Sequence, residues 1–206
     1  MNPFISALGD WWFLLPVAYL TGSVPFGLLI SKFIFGIDPR QSGSGNIGMT
    51  NVMRTVGKLP GILTFICDFG KGFAFPFIYR FSSDSPDNSF VLILAAAAIL
   101  GHIHSIFLKF RGGKGVATGF GAWTGFNPVI GVGGMLSWLA LYLIFRVSSI
   151  AGMISSVTVT LLVAYVYGFH AEFLFSLALT SYIIFLHRSN ISRILQGKEM
   201  KMTRKK

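Results

Sequence analysis

Apolar residues run along this chain in long blocks separated by short polar joints. A helix needs about 20 residues to cross the roughly 30 Å hydrocarbon core of a bilayer. On that ruler the blocks predict seven helices, near 11–35, 60–80, 89–108, 115–126, 128–145, 149–168 and 172–186. The fourth is too short to span fully, and Asn127-Pro128 is a turn signal that cuts it from the fifth, so a short or half helix is expected there. No Lys or Arg precedes Lys32, so the first block lacks the positive flank of a cleavable signal peptide and is expected to be retained as a helix.

Composition places these helices in lipid. Of the 206 residues 53% are hydrophobic and only 12% charged, about half the charge of an ordinary soluble domain. A water-exposed globule and a disordered chain are both excluded. The single cysteine, Cys67, permits neither an internal disulfide nor a thiolate metal site. The net charge of +10 would suggest nucleic acid in a soluble protein. Here the bases flank apolar spans, which points instead to cytoplasmic loops and anionic lipid headgroups, with no nucleic-acid partner.

Charge also orients the helices. With the N-terminus outside, Arg40, Arg54, Lys58, Lys109, Arg111, Lys114, Arg146 and the basic run from Arg188 to Lys206 all fall on one side, 14 of the 17 Lys and Arg residues. The opposite joints carry Asp10, Asp84, Asp87 and Glu172, with Arg80 the one base near them. The expectation is an all-α integral membrane protein with seven transmembrane helices, N-terminus out and C-terminus cytoplasmic. That parity counts the short fourth helix as a crossing. No internal repeat is visible, so residues 1–206 read as one domain with a basic tail at 198–206.

Three polar clusters remain, all on the cytoplasmic side of this topology. In the first, Ser42 to Asn51, glycines at 43, 45 and 48 let backbone amides approach a ligand. Ser44, Asn46, Thr50 and Asn51 offer short hydrogen-bonding groups and Arg54 a fork for phosphate. A flexible connection between two helices would also use glycine and serine. The second, Arg111-Gly112-Gly113-Lys114-Gly115-Val116-Ala117-Thr118, feeds a glycine loop into a helix N-terminus, where free amides, the helix dipole and Lys114 attract an anion. It is not a Walker A sequence, because Gly115 follows the lysine. A role for Lys114 as a membrane-boundary anchor competes with this. The third is His187-Arg188-Ser189-Asn190-Ile191-Ser192-Arg193, in which His187 and Asn190 share a face if the last helix continues. A histidine at a helix end also serves as a dipole partner.

Two further features stand inside spans. Asp68 and Lys71, three apart, are costly in lipid and are expected to pair. His102 and His104 lack a carboxylate nearby in sequence and make poor metal ligands, so no metal or other cofactor is expected.

Taken together, Ser-Gly-Asn-Ile-Gly-x-Thr-Asn-Val-x-Arg at 44–54, Gly-Gly-Lys-Gly-Val-Ala-Thr at 112–118 and His-x-x-Asn-Ile-x-Arg at 187–193 resemble the signature of the bacterial acyl-phosphate:glycerol-3-phosphate acyltransferases, the PlsY family. Gly22 to Gly27, Leu100-Gly101-His102 and Val147-Ser148-Ser149 fit the same pattern, while Met49 replaces a usual alanine and Gly152 a usual small polar residue. The resemblance implies a seven-helix enzyme of the bacterial inner membrane with its site facing the cytoplasm. It implies acyl phosphate and glycerol 3-phosphate as substrates, lysophosphatidic acid and phosphate as products, and leaves room for functional contact with the enzyme that makes the acyl phosphate. It assigns catalytic or substrate contacts to Ser44, Arg54, Lys114, His187 and Asn190. Substrate binding extends to Gly43, Gly45, Asn46, Thr50, Asn51, Gly112, Gly113, Gly115, Thr118, Ser148, Ser149 and Arg193. Both reactants carry phosphate, so two anion-binding loops on one face suit the chemistry. A mixed anhydride with phosphate as leaving group demands neither a covalent acyl-enzyme nor a metal. An anion transporter built on a broken helix and a non-catalytic membrane scaffold are the rival classes.

Overall fold

Helix is the only regular structure among residues 9–201, the range described in the computed structural model. Residues 1–8 and 202–206 lie outside it, and with them the end of the basic tail and the first residues from which an external N-terminus would be read. The chain packs as two compact units that meet in sequence between Pro128 and Val129.

The first unit opens with α1 (Leu14–Ser23) and α2 (Phe26–Leu29), the latter running on as a π turn over Ile30–Ile34. Pro25 breaks the rod: it has no N–H, and it pushes Val24 into an extended conformation (φ −59°, ψ 118°). The break leaves carbonyls without helical donors, and side chains from elsewhere in the first unit reach them. Ser105 Oγ donates to the Ser23 carbonyl, and Lys71 Nζ donates to that of Val24 at 2.8 Å. A short helix α3 (Met49–Thr55) leads into α4 (Lys58–Ser82), followed by α5 (Asn88–Ile103) and α6 (Val116–Phe126). At 11 residues α6 rises only about 16 Å. It lies tightly on α4 because both helices offer glycines at the crossing. A Cβ at Gly121 would meet the Phe69 carbonyl at 2.0 Å, and one at Gly72 the Thr118 carbonyl at 2.1 Å.

The second unit holds most of α7 (Pro128–Phe145), then α8 (Ser148–Tyr167), α9 (Ala171–Leu186) and α10 (Arg188–Leu195). Helices α8 and α9 are tied by a buried hydroxyl ladder. Thr160 Oγ1 lies 3.0 Å from Ser176 Oγ and 2.9 Å from Thr180 Oγ1, and Thr180 donates to the Ser156 carbonyl. In lipid such bonds supply what hydrophobic association cannot.

Each of the seven apolar blocks is therefore helical. Among the described residues, five stretches (14–34, 58–82, 88–108, 128–145 and 148–167) are long and apolar enough to cross a membrane alone. The helices at 116–126 and 171–186 fall short of that length. Two boundaries differ from expectation: the first block is broken at Pro25, and Thr50, Asn51 and Arg54 sit on α3 rather than in a loop.

Candidate active site

The first cluster is a tight turn built on Asn51. Gly43 and Gly45 take left-handed backbone (φ +62° and +70°), which a side chain would disfavour. Beneath them the Asn51 amide, 3% exposed, donates to the carbonyls of Pro39 and Asn46 at 2.8 Å and accepts the Ser44 N–H at 2.8 Å. The Gly45 N–H goes to the Ser42 carbonyl and the Gly48 N–H to Asn46 Oδ1. The amides of Ser44, Gly45 and Gly48 are thus turned inward. These three amides, expected to face a ligand, are bonded within the turn, whose shape Asn46 and Asn51 hold. What the turn presents outward is Ser44, exposed at its tip, with Thr50 and Arg54 half-buried four residues apart on one face of α3.

The second cluster is fastened to the end of α5. The Gly112 N–H donates to the Ile103 carbonyl at 2.9 Å and the Gly113 N–H to that of His102 at 3.0 Å. These amides are bonded within the fold: the Gly113 N–H, expected to face a phosphate, is donated to the His102 carbonyl. Gly115 (φ +84°) turns the chain into α6, whose first-turn amides at 116–118 have no partner four residues back within the helix. Lys114 stands half-buried at that end and Thr118 is fully buried. What remains on this loop to attract an anion is the N-terminus of α6 together with the Lys114 charge.

The third cluster lies in the second unit. The helix does not continue through His187: α9 ends at Leu186, His187 leaves helical geometry (φ −90°, ψ 6°), and α10 starts at Arg188. His187 and Asn190 are nevertheless both buried, at 4% and 5% exposure. His187 Nδ1 lies 2.8 Å from the Ile183 carbonyl. A carbonyl only accepts, so Nδ1 carries a proton, and Nε2 is the acceptor nitrogen whenever the ring is neutral.

Sequence reading missed the centre of this cluster. Glu199, counted within a basic tail, accepts from Ser149 Oγ at 2.7 Å, Asn190 Nδ2 at 2.6 Å and Arg193 Nε at 2.7 Å. Burial alone would raise its pKa. The bonds from Asn190, Ser149 and Arg193 outweigh that and hold the carboxyl below its ordinary value. The signal available was a lone acid among bases just after the third motif, but nothing local says that residues 149, 190 and 193 converge on it. Ser148, half-buried at the start of α8, is not among its donors.

The sequence model for glycerol-3-phosphate acyltransferase matches residues 12–197. Curated relatives of that name include one from Aquifex aeolicus, 39% identical over 91% of this chain and 96% of its own length. Another, from Bartonella henselae, is 37% identical over 93% of this chain and 91% of its own length. The chain belongs to the glycerol-3-phosphate acyltransferase family. Two crystal structures of PlsY (YgiH), an integral membrane glycerol 3-phosphate acyltransferase, share its fold. The glycerol 3-phosphate form has a TM-score of 0.85 and the lysophosphatidic acid form 0.83. Each is 36% identical and covers 93% of this chain and 95% of the solved one. With these relatives and its apolar helices, this member of the acyltransferase family is an integral bacterial membrane protein. The family match runs through all three clusters and both units.

Proposed function

We propose that the chain transfers an acyl group from an acyl phosphate to the 1-hydroxyl of sn-glycerol 3-phosphate, giving lysophosphatidic acid and inorganic phosphate. The observation that carries this reading is the fold shared, at 36% identity, with crystal forms of PlsY holding glycerol 3-phosphate and lysophosphatidic acid. Residues 1–206 act as one catalytic domain in the inner membrane. Seven helices cross it, the short α6 included, with the N-terminus out and the three clusters on the cytoplasmic face.

In this reading Lys114 and the first turn of α6 hold the phosphate of the acceptor, and Arg54 with Ser44 holds that of the donor. The acceptor hydroxyl oxygen attacks the acyl carbonyl carbon, the bond from that carbon to the phosphate oxygen breaks, and phosphate leaves with its electron pair. His187 Nε2 takes the hydroxyl proton, an assignment supported by the Ile183 carbonyl that fixes the tautomer. Asn190 orients substrate next to it. Positioning and charge neutralisation account for most of the rate.

Assaying purified protein in detergent with labelled glycerol 3-phosphate tests this directly. Acyl phosphate should support turnover in the presence of EDTA. Equal efficiency with acyl-CoA, or loss of activity in EDTA that added metal restores, overturns the donor assignment.

A further inference from the structure

Three ionisable side chains lie buried inside the first unit: Asp68 at 3% exposure, Lys71 at 4% and His102 at 5%. Charged groups at membrane depth cost several kcal/mol unless paired, and where they persist they usually serve function. Lys71 Nζ is 2.9 Å from Asp68 Oδ1, and the same oxygen is 3.5 Å from His102 Nδ1, an ion-pair contact outside hydrogen-bond geometry. The carboxylate missing from the sequence around His102 thus arrives from α4.

The other edge of the His102 ring faces the glycine loop. A methyl group at Gly113 would come 2.1 Å from His102 Nε2 and 2.7 Å from Cε1, while the main chain of His102 accepts the Gly113 N–H. Gly113 therefore lies directly on the imidazole. A chain of contacts runs from the Val24 carbonyl at the Pro25 break, through Lys71 and Asp68, to His102 and the loop residue before Lys114.

We propose that His102, held by Asp68, is a positioning residue for the phosphate-binding loop, setting the place of Gly113 and so of Lys114 without touching substrate. The proposal rests on the reading that this loop binds glycerol 3-phosphate. It also explains why position 113 is glycine although its φ is ordinary: the space is filled by the ring. A loop that grips the phosphate equally in ground and transition states acts on KM rather than kcat. A displacement of about 1 Å is enough for a large loss.

The test is steady-state kinetics of full-length protein in detergent at saturating acyl phosphate, for Gly113→Ala, His102→Asn and the double variant. Asparagine keeps a donor near the Nδ1 position and vacates the part of the ring that a methyl group would strike. Gly113→Ala should raise KM for glycerol 3-phosphate by about tenfold or more with kcat within about threefold. His102→Asn should raise KM by about threefold to tenfold, and the double variant should be no worse than His102→Asn by more than about threefold. Penalties that multiply in the double variant, or a wild-type KM in His102→Asn, overturn the positioning role while leaving the loop as the phosphate site. An unchanged KM in Gly113→Ala removes the loop from glycerol phosphate binding and takes the proposal with it. Should His102→Asn fail to accumulate, Asp68→Asn gives the same reading: a raised KM with near-normal kcat supports the proposal, and a kcat loss at normal KM overturns it.

Discussion

At the scale of single residues, two side chains of the third cluster differ in what they are asked to do. In the proposed mechanism His187 accepts a proton at Nε2, its Nδ1 being committed to the Ile183 carbonyl. His187→Ala should cut kcat by about 10² to 10⁴ with a small change in either KM, read from initial rates with each substrate varied. A loss below about tenfold would move the base to a phosphate oxygen of the substrate. Glu199 instead ties Ser149 on α8 to Asn190 and Arg193 on α10. Glu199→Gln removes the charge from three hydrogen bonds and should cost about 1–3 kcal/mol of local stability, seen as a lowered thermal midpoint in detergent. Because the folded carboxyl sits below its ordinary value of 4.5, its contribution is present in full above that value. It is lost as pH falls through the folded pKa, so the wild-type midpoint should drop in acid more than that of Glu199→Gln. An equal acid dependence in the two proteins would show that Glu199 is not what titrates.

Between helices, the deciding feature is closeness of backbone. Gly121 on α6 faces the Phe69 carbonyl of α4 with no room for a methyl group, so Gly121→Ala must push the helices apart. Overpacking of this kind costs about 1–3 kcal/mol. Because α6 opens at the Lys114 loop, the same change should weaken glycerol 3-phosphate binding, checked by KM beside the thermal midpoint. A variant with normal midpoint and normal KM would mean that the seam has slack. The helices themselves were legible as apolar blocks, and so was the short fourth one, because length against bilayer thickness is a local property. The three motifs were legible as clusters for a similar reason, each being contiguous. What sequence could not show is where amides point. The donors of Ser44, Gly45, Gly48 and Gly113 looked available for phosphate, yet they are bound to carbonyls or to Asn46 and Asn51. Pairings across helices were hidden for the same reason. Asp68 with Lys71 could be foreseen from their spacing of three on one helix, whereas His102 with Asp68 depends on how α4 meets α5.

For the whole molecule, the proposed chemistry requires that all three clusters face the same aqueous compartment. Acyl phosphate and glycerol 3-phosphate are both anionic at the reacting end, and an anionic phosphate does not cross the apolar layer to meet its partner. Loops 42–57 and 111–118 lie one helical hairpin apart, since α4 and the stretch 88–108, α5 with the turn that follows it, each have the length to cross a membrane. The third cluster lies beyond α6, α7, α8 and α9. An even number of crossings between residues 118 and 187 keeps it on the same face, and only α7 and α8 of these four meet the spanning length alone. Two routes satisfy parity: α6 and α9 both count as crossings, or neither does. The positive charge of the joint at Arg146 separates them. If α6 crosses, Arg146 returns to the cytoplasmic side with the other bases; if it does not, α7 carries Arg146 outside, against the distribution of charge. Cysteine accessibility settles this in intact cells, in a Cys67→Ala background with single cysteines at the exposed positions 111, 146 and 189. All three should resist a membrane-impermeant thiol reagent until the membrane is opened. Labelling of position 146 alone in intact cells would leave the acyltransferase site cytoplasmic but reduce the crossings to five, with α6 and α9 as helices that enter and do not traverse. Labelling of 189 but not 111 would place His187 and Lys114 on opposite sides, which no single transfer between these two substrates could survive.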